Sequence, residues 1–554
     1  MLSDIEIINQ AKMVEMRKIA RHYGLKDEEL YLIGKHLAKV ELGAFKRLEN
    51  KKDGKLLLVS AITPTPAGEG KSTTLIGMVD TLNKLGKKCI GTIREPSLGP
   101  VFGVKGGAAG GGYSQLNPMV DMNLHFTGDL HAVTTANNLV SAVIDNHIFQ
   151  GNELGINPTK VVWKRCLDLN DRALRKVTVA LESKKETPRE DGFNITVASE
   201  IMASLCLSDS YHALRERLDR MIVAYDFSDK PITIKDLQIT GSLLVLLKNA
   251  LKPNLIQTLE NNLFICHGGP FANIAHGCNS ILATKLALKL ADYVVTEAGF
   301  GVDLGTEKFL DIKCQEAKLN PSLVIIVATI RALKFHGGLD AADLKTPNVS
   351  ALQRGICNLE RHLETIRKFN LPAVVALNRF ESDSNEEIEF IMNWGKEHQV
   401  DVALSEVFAK GSAGGLDLAE KVLKNIQPRR KYRPLYDIHE SLFTKIEKIC
   451  VEVYHATNIE YAPEVFEQIK KYNQGNYQEY YVCMAKCQTS VTDNPKIAGV
   501  PKNHTIHIKE VRLAAGSKFL VCLTGSIMTM PGLNKEPQAI KIDMDDDGNV
   551  TGLM

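Results

Sequence analysis

The sequence predicts an α/β protein built on a doubly wound, mainly parallel sheet, with smaller α/β domains attached. Two observations carry that reading. Runs such as residues 55–62 and 323–329 are apolar without alternation, as strands buried on both faces of a parallel sheet must be. Helical patterns separate them, an order that lays helices on both sides of one sheet.

Taken in order, two helical patterns over residues 3–23 and 27–47 come first. Ser3 and Glu6 have capping-box spacing, and Ile8, Met16 and Ile19 fall close to one helical face. A buried strand follows over 55–62, then a helix over 71–85 ended by Gly86, then a strand over 88–94. Further strand-like runs occupy 291–296, 323–329 and 372–377. The Pro/Arg-rich segment 427–434 reads as a boundary, with a helix over 442–456 beyond it. A chain of 554 residues exceeds one core. The expected division is 1–330, carrying the N-terminal helices and a nucleotide domain, then 331–430 and 431–554 as further α/β domains.

Composition narrows the class. A net charge of +2 points to no nucleic acid and no anionic membrane surface, and 44% hydrophobic with 24% charged residues is ordinary for a globular protein. Eleven cysteines show no framework; Cys483 and Cys487 are the only close pair, and no second pair or His set lies near to complete a zinc site. That usage suits a reducing compartment. Asp4 and Glu6 oppose a secretory signal, and no stretch of about 18 apolar residues exists. The expectation is a soluble, cytoplasmic protein.

The chemistry starts at Thr65-Pro-Ala-Gly-Glu-Gly-Lys-Ser72, between the first strand and its helix. A phosphate loop needs inward backbone amides, a lysine for the outer phosphates, a hydroxyl for Mg²⁺ and a helix N-terminus facing the anion. Gly68 and Gly70 supply the permissive backbone, Lys71 the cation and Ser72 the hydroxyl, while Thr65, Pro66, Ala67 and Glu69 complete the loop. Thr65 stands where the first glycine of the usual pattern belongs. The loop makes the fold P-loop NTPase-like and predicts nucleoside triphosphate binding.

Three longer stretches are more specific: residues 94–113, beginning Arg94-Glu-Pro-Ser-Leu-Gly-Pro; residues 267–280 with 297–308; and Val327-Ala-Thr-Ile-Arg-Ala-Leu-Lys-Phe-His-Gly-Gly338. With the loop, and in this order, they closely resemble formate–tetrahydrofolate ligase, also called 10-formyltetrahydrofolate synthetase, in its bacterial monofunctional form. The resemblance runs from the N-terminal helices to residues 529–537. It implies ATP with Mg²⁺, formate and tetrahydrofolate as substrates, a formyl phosphate intermediate, activation by K⁺ or NH₄⁺, and a homotetramer. Alternatives from other classes are a phosphate-loop switch or assembly ATPase, and another carboxylate-activating ligase of the same fold.

Residue roles follow from the resemblance for Arg94, the aromatic pair and the nucleotide vicinity, and from the chemistry the reaction needs for the others. Arg94, at a strand's C-terminal end, would grip formate and formyl phosphate, with Lys71 on the phosphates and Glu95 orienting a substrate. His131, with His125 and Asp129 nearby, would accept the N10 proton, and Lys105 would add a cation. Phe380, and Phe408 in place of the family tryptophan, would stack the pterin, which makes residues 331–430 part of the folate site. Phe300 and Asp303, and with similar status Thr329 and Arg331, are expected near the nucleotide.

Overall fold

The computed structural model describes residues 3–65, 68–103, 109–182, 187–427 and 430–553. Its frame is a sheet whose main path of strands is, in chain order, β1 (Leu30–Ile33), β2 (Leu37–Val40), β3 (Lys55–Ala61), β4 (Cys89–Ile93), β5 (Asn254–Thr258), β6 (Leu263–Cys266), β7 (Tyr293–Glu297), β8 (Pro321–Ala328), β9 (Ala373–Asn378) and β10 (Val402–Ser405), with the short strands Gly110–Gly111 and Ser114–Asn117 branching from β5. They lie side by side as β1-β2-β5-β6-β4-β7-β3-β8-β9-β10. From β6 to β10 every pairing is parallel. The other end, β1, β2 and β5, is joined antiparallel, so the sheet is mixed.

The unbroken apolar runs are explained by burial on two sides. Along β3, Leu56 and Leu58 enter one core while Leu57, Val59 and Ala61 enter the other. Along β8, Val324, Ile326 and Ala328 alternate in the same way with Leu323, Ile325 and Val327. Each side chain exchanges water for close packing, roughly 1.5–3 kcal/mol apiece, and polar alternation here would leave that unrealised. Helices cover both faces, as a doubly wound sheet requires.

Three expectations change in detail. The first helical pattern breaks into α1 (Asp4–Gln10) and α2 (Met16–Tyr23), with the Ser3/Glu6 capping box formed at the start of α1. Residues 27–47 form the β1–β2 hairpin and a short helix, α3 (Gly43–Leu48), in place of one helix. The reason is tertiary: β2 is fully buried and pairs through Ala38 and Lys39 with β5, and Gly34 turns the hairpin at φ +65°. The sheet also runs past residue 330, because β9 and β10 are its last two strands.

The remaining helices used below are α4 (Lys71–Lys84), α5 (Asp129–Phe149), α6 (Ile281–Leu290), α7 (Ile330–His336), α8 (Val349–Lys368) and α9 (Leu442–Glu452), the last ending four residues before the expected position. Beyond α9, the strands Tyr481–Ala485, Phe519–Leu523 and Glu510–Ala514 make a separate sheet in that order. Lys486, one residue past its first strand, is fully buried and donates to Asp303 Oδ2 at 2.6 Å. That ion pair ties the C-terminal region to the chain following β7.

A second buried cation fastens β2. Lys39 Nζ donates to Asp129 Oδ1 at 2.7 Å and to Asn254 Oδ1 at 2.6 Å, joining β2, β5 and the start of α5. Removing one partner of such a pair strands the other charge in a dry site, at about 3–5 kcal/mol. Lys39→Met is therefore expected to lower unfolding free energy by about that amount in urea titrations. A loss under about 1 kcal/mol would show that the Lys39–Asp129 contact does not hold β2 to α5.

Candidate functional site

A cleft of about 600 Å³ opens at the C-terminal ends of β4, β7 and β3, where ligand sites form in α/β sheets. Glycine is required where the loop enters α4. Gly70 caps that helix at φ +77°, and any side chain there would run into the Asn378 amide. Lys71 and Ser72 begin α4 and line the cleft with Gly68, Glu69 and Gly70. Pro66 and Ala67 lie outside the described residues, as does Lys105.

The structure explains Thr65. Its backbone N–H and its hydroxyl both donate to Glu69 Oε1, at 2.7 and 2.8 Å. The other carboxylate oxygen, Oε2, accepts from the Thr329 hydroxyl, which also caps α7. Glu69 is only 2% exposed, so the loop is closed on itself by a buried carboxylate rather than by an unsubstituted first residue. Hydrogen bonds to a charged acceptor contribute about 1.5–3 kcal/mol each, enough to hold a loop that lacks the usual first glycine.

Arg94, one residue past β4, lines the cleft with its side chain 27% exposed. Its Nε donates to Glu297 Oε1 at 3.1 Å, while Ser72 Oγ donates to Glu297 Oε2 at 3.3 Å. One carboxylate thus bridges the start of α4 and the arginine. Glu297 was not singled out by sequence reasoning, although an acid ending a buried strand just before Ala-Gly was a usable signal. Phe300 lines the same wall at φ +58°, a left-handed conformation costing a bulky residue about 1–2 kcal/mol, as strained residues at functional sites do.

Glu95 also faces the cleft and is buried. Burial and the adjacent Asp129 carboxylate raise its pKa well above the carboxylate range, and its Oε2 has no hydrogen-bond partner among the described residues. His131, expected to serve as the base, is instead exposed in the first turn of α5, and His125 is exposed as well. Neither lines the cleft. Asp303 is likewise drawn away: it is buried against Lys486 and does not line the cleft.

The two aromatic residues follow neighbouring strands, Phe380 in a loop and Phe408 in the short helix Val407–Lys410. β9 and β10 run parallel with Asn378 opposite Ser405, and Phe380 and Phe408 follow within three residues of those positions. Phe408 is 40% exposed, and its carbonyl accepts from Tyr113 N at 2.8 Å, so the end of the Gly-rich stretch rests on it. Gly106 and Gly107 lie outside the described residues.

The family model for formate–tetrahydrofolate ligase matches residues 2–554. The chain belongs to that family. It is an ATP-dependent ligase joining formate to tetrahydrofolate, and the match spans the fold from α1 to the final residues. In a formate–tetrahydrofolate ligase the cleft must handle anions, and it holds Lys71, Arg94 and the α4 N-terminus. Among the described residues no helix is long and apolar enough to cross a membrane, and no group of three or more His, Cys, Asp or Glu is placed to hold a metal ion.

Glu95 gives a pH test. With its folded pKa raised, the neutral form is preferred on folding, so its contribution is full below the ordinary carboxylate range and is lost as pH rises toward the raised value. Glu95→Gln removes that loss, by up to about 1.4 kcal/mol per pH unit. Unfolding midpoints of the wild type should therefore drop more between pH 6 and pH 9 than those of the variant. Parallel pH profiles would refute a protonated Glu95.

Proposed function

We propose that the cleft at β4, β7 and β3 activates formate with ATP and passes the formyl group to tetrahydrofolate held on Phe380 and Phe408. The observation carrying this reading is the shared carboxylate: Glu297 meets both Ser72 and Arg94, so a triphosphate on the loop and a carboxylate on Arg94 would lie side by side. On this reading the nucleotide half is P-loop NTPase-like. Formate is a poor electrophile because its charge repels nucleophiles and its leaving group is oxide. Its oxygen attacks the γ-phosphorus, the bond from that phosphorus to the bridging oxygen breaks, and ADP leaves, giving formyl phosphate.

Lys71 and the loop amides hold the phosphates through this step, and preorganised charge of that kind is the main resource in phosphoryl transfer. Arg94, whose guanidinium plane is set by its Nε bond to Glu297, presents its terminal nitrogens to the formyl oxygens. Ser72 Oγ and Glu297 Oε2 are hard oxygen donors 3.3 Å apart, a pair that suits Mg²⁺. Bound there, Mg²⁺ would neutralise phosphate charge. The N10 amine then attacks the formyl carbon, the C–O bond to phosphate breaks, and the departing phosphate takes up the N10 proton. The same reading takes the working enzyme to be a cytoplasmic homotetramer activated by K⁺ or NH₄⁺.

ADP release measured with formate and tetrahydrofolate omitted in turn tests the scheme directly; release indifferent to both omissions would contradict it. Arg94→Ala is expected to cut formyl transfer by about 10²–10³-fold or more while ATP affinity stays within about threefold. Loss of nucleotide binding in that variant would remove Arg94 from the formate role. Phe408→Trp, at a position 40% exposed, should preserve folate affinity or tighten it by up to about tenfold. A tenfold loss by calorimetry would show that Phe408 is not a stacking face.

A further inference from the structure

Arg331 touches both halves of the site without lining the cleft. Its Nη2 donates to the Gly68 carbonyl in the phosphate loop, and its guanidinium carbon lies 4.2 Å from the centroid of the Phe380 ring. Its Nε is buried with no partner among the described residues. The loop and the aromatic segment meet at a second point as well, where Asn378 Nδ2 donates to the Glu69 carbonyl at 3.1 Å.

We infer that Arg331 is a positioning residue that couples nucleotide binding on the phosphate loop to folate binding on Phe380. This rests on Phe380 being a pterin platform. The Gly68 carbonyl accepting from Arg331 belongs to the same peptide unit as the Glu69 N–H. When that N–H donates to a phosphate, the peptide polarises and its carbonyl becomes a better acceptor. The guanidinium is then held more firmly, and with it the ring on which it stacks. A folate bound to that ring favours the same arrangement, because coupling between two sites is reciprocal. A planar guanidinium is needed, since an ammonium at the same place keeps the charge but cannot lie flat on the ring while donating to the carbonyl.

The test is calorimetric titration of 5-formyltetrahydrofolate into the full-length enzyme, with and without a non-hydrolysable ATP analogue and with formate omitted. The wild type is expected to bind the folate about fivefold or more tightly when the nucleotide is present. Arg331→Lys should bring that ratio below about twofold. A wild-type ratio of one, or a wild-type ratio retained in Arg331→Lys, overturns the coupling. Phe380→Ala, run alongside, separates the two claims. Folate affinity unmoved in that variant sinks the platform reading and the inference with it. A large folate loss there, together with an unchanged ratio in Arg331→Lys, sinks the coupling alone.

Discussion

The site depends on the carboxylate of Glu297. In the sheet, β7 lies between β4 and β3, so the residue ending β7 is the one that can reach the arginine after β4 and the helix after β3 together. Glu297 does so with its two oxygens, and it is only 3% exposed. A buried charge needs partners, and these two supply them. Arg94 is thereby held rigid before any substrate arrives, which is the condition for electrostatic preorganisation.

The parallel half of the sheet was legible because its physics is local. A strand buried on both faces has no polar alternation, and β3, β7, β8 and β9 all carry that mark. The antiparallel end was not legible. β1 has a mixed pattern of burial, and β2 carries Lys39, whose charge is satisfied by Asp129, Asn254 and the Lys252 carbonyl, 90, 215 and 213 residues away. No window of sequence contains that neutralisation, so residues 27–47 look helical until β5 is in place.

The candidate site divides along the same line. Lys71, Ser72 and Arg94 could be placed because each sits one or a few residues past an identifiable strand or loop. His131 could not be judged, since whether a helical side chain faces the cleft or solvent depends on how α5 packs, and here the first turn gives Asp129 to the interior and His131 to water. Asp303 was lost to a similar cause: its partner Lys486 comes from a region 183 residues on. Thr65 was visible as a departure from the usual loop, but its reason is a side-chain closure by Glu69 that spacing alone does not reveal.

The order of strands also sets a geometric demand on the reaction. Arg94 follows β4, while Phe380 and Phe408 follow β9 and β10. Between β4 and β9 lie β7, β3 and β8, four strand spacings of about 4.8 Å, or roughly 19 Å along the sheet edge. A pterin on the aromatic residues is therefore remote from Arg94 unless the chain closes the gap above the sheet. Residues 109–113 do so: Gly110 and Gly111 pair with Ser114 and Gln115, Ser114–Asn117 pairs with β5, and Tyr113 N donates to the Phe408 carbonyl. Gly112 sits at φ +58° where a side chain would strike that carbonyl. At Gly112 the chain thus meets the Phe408 backbone, and a contact this close between backbones admits only glycine. Gly110 meets the Ser114 carbonyl in the same way, so at these two positions glycine is set by backbone approach and residues 110–113 stay seated against Phe408.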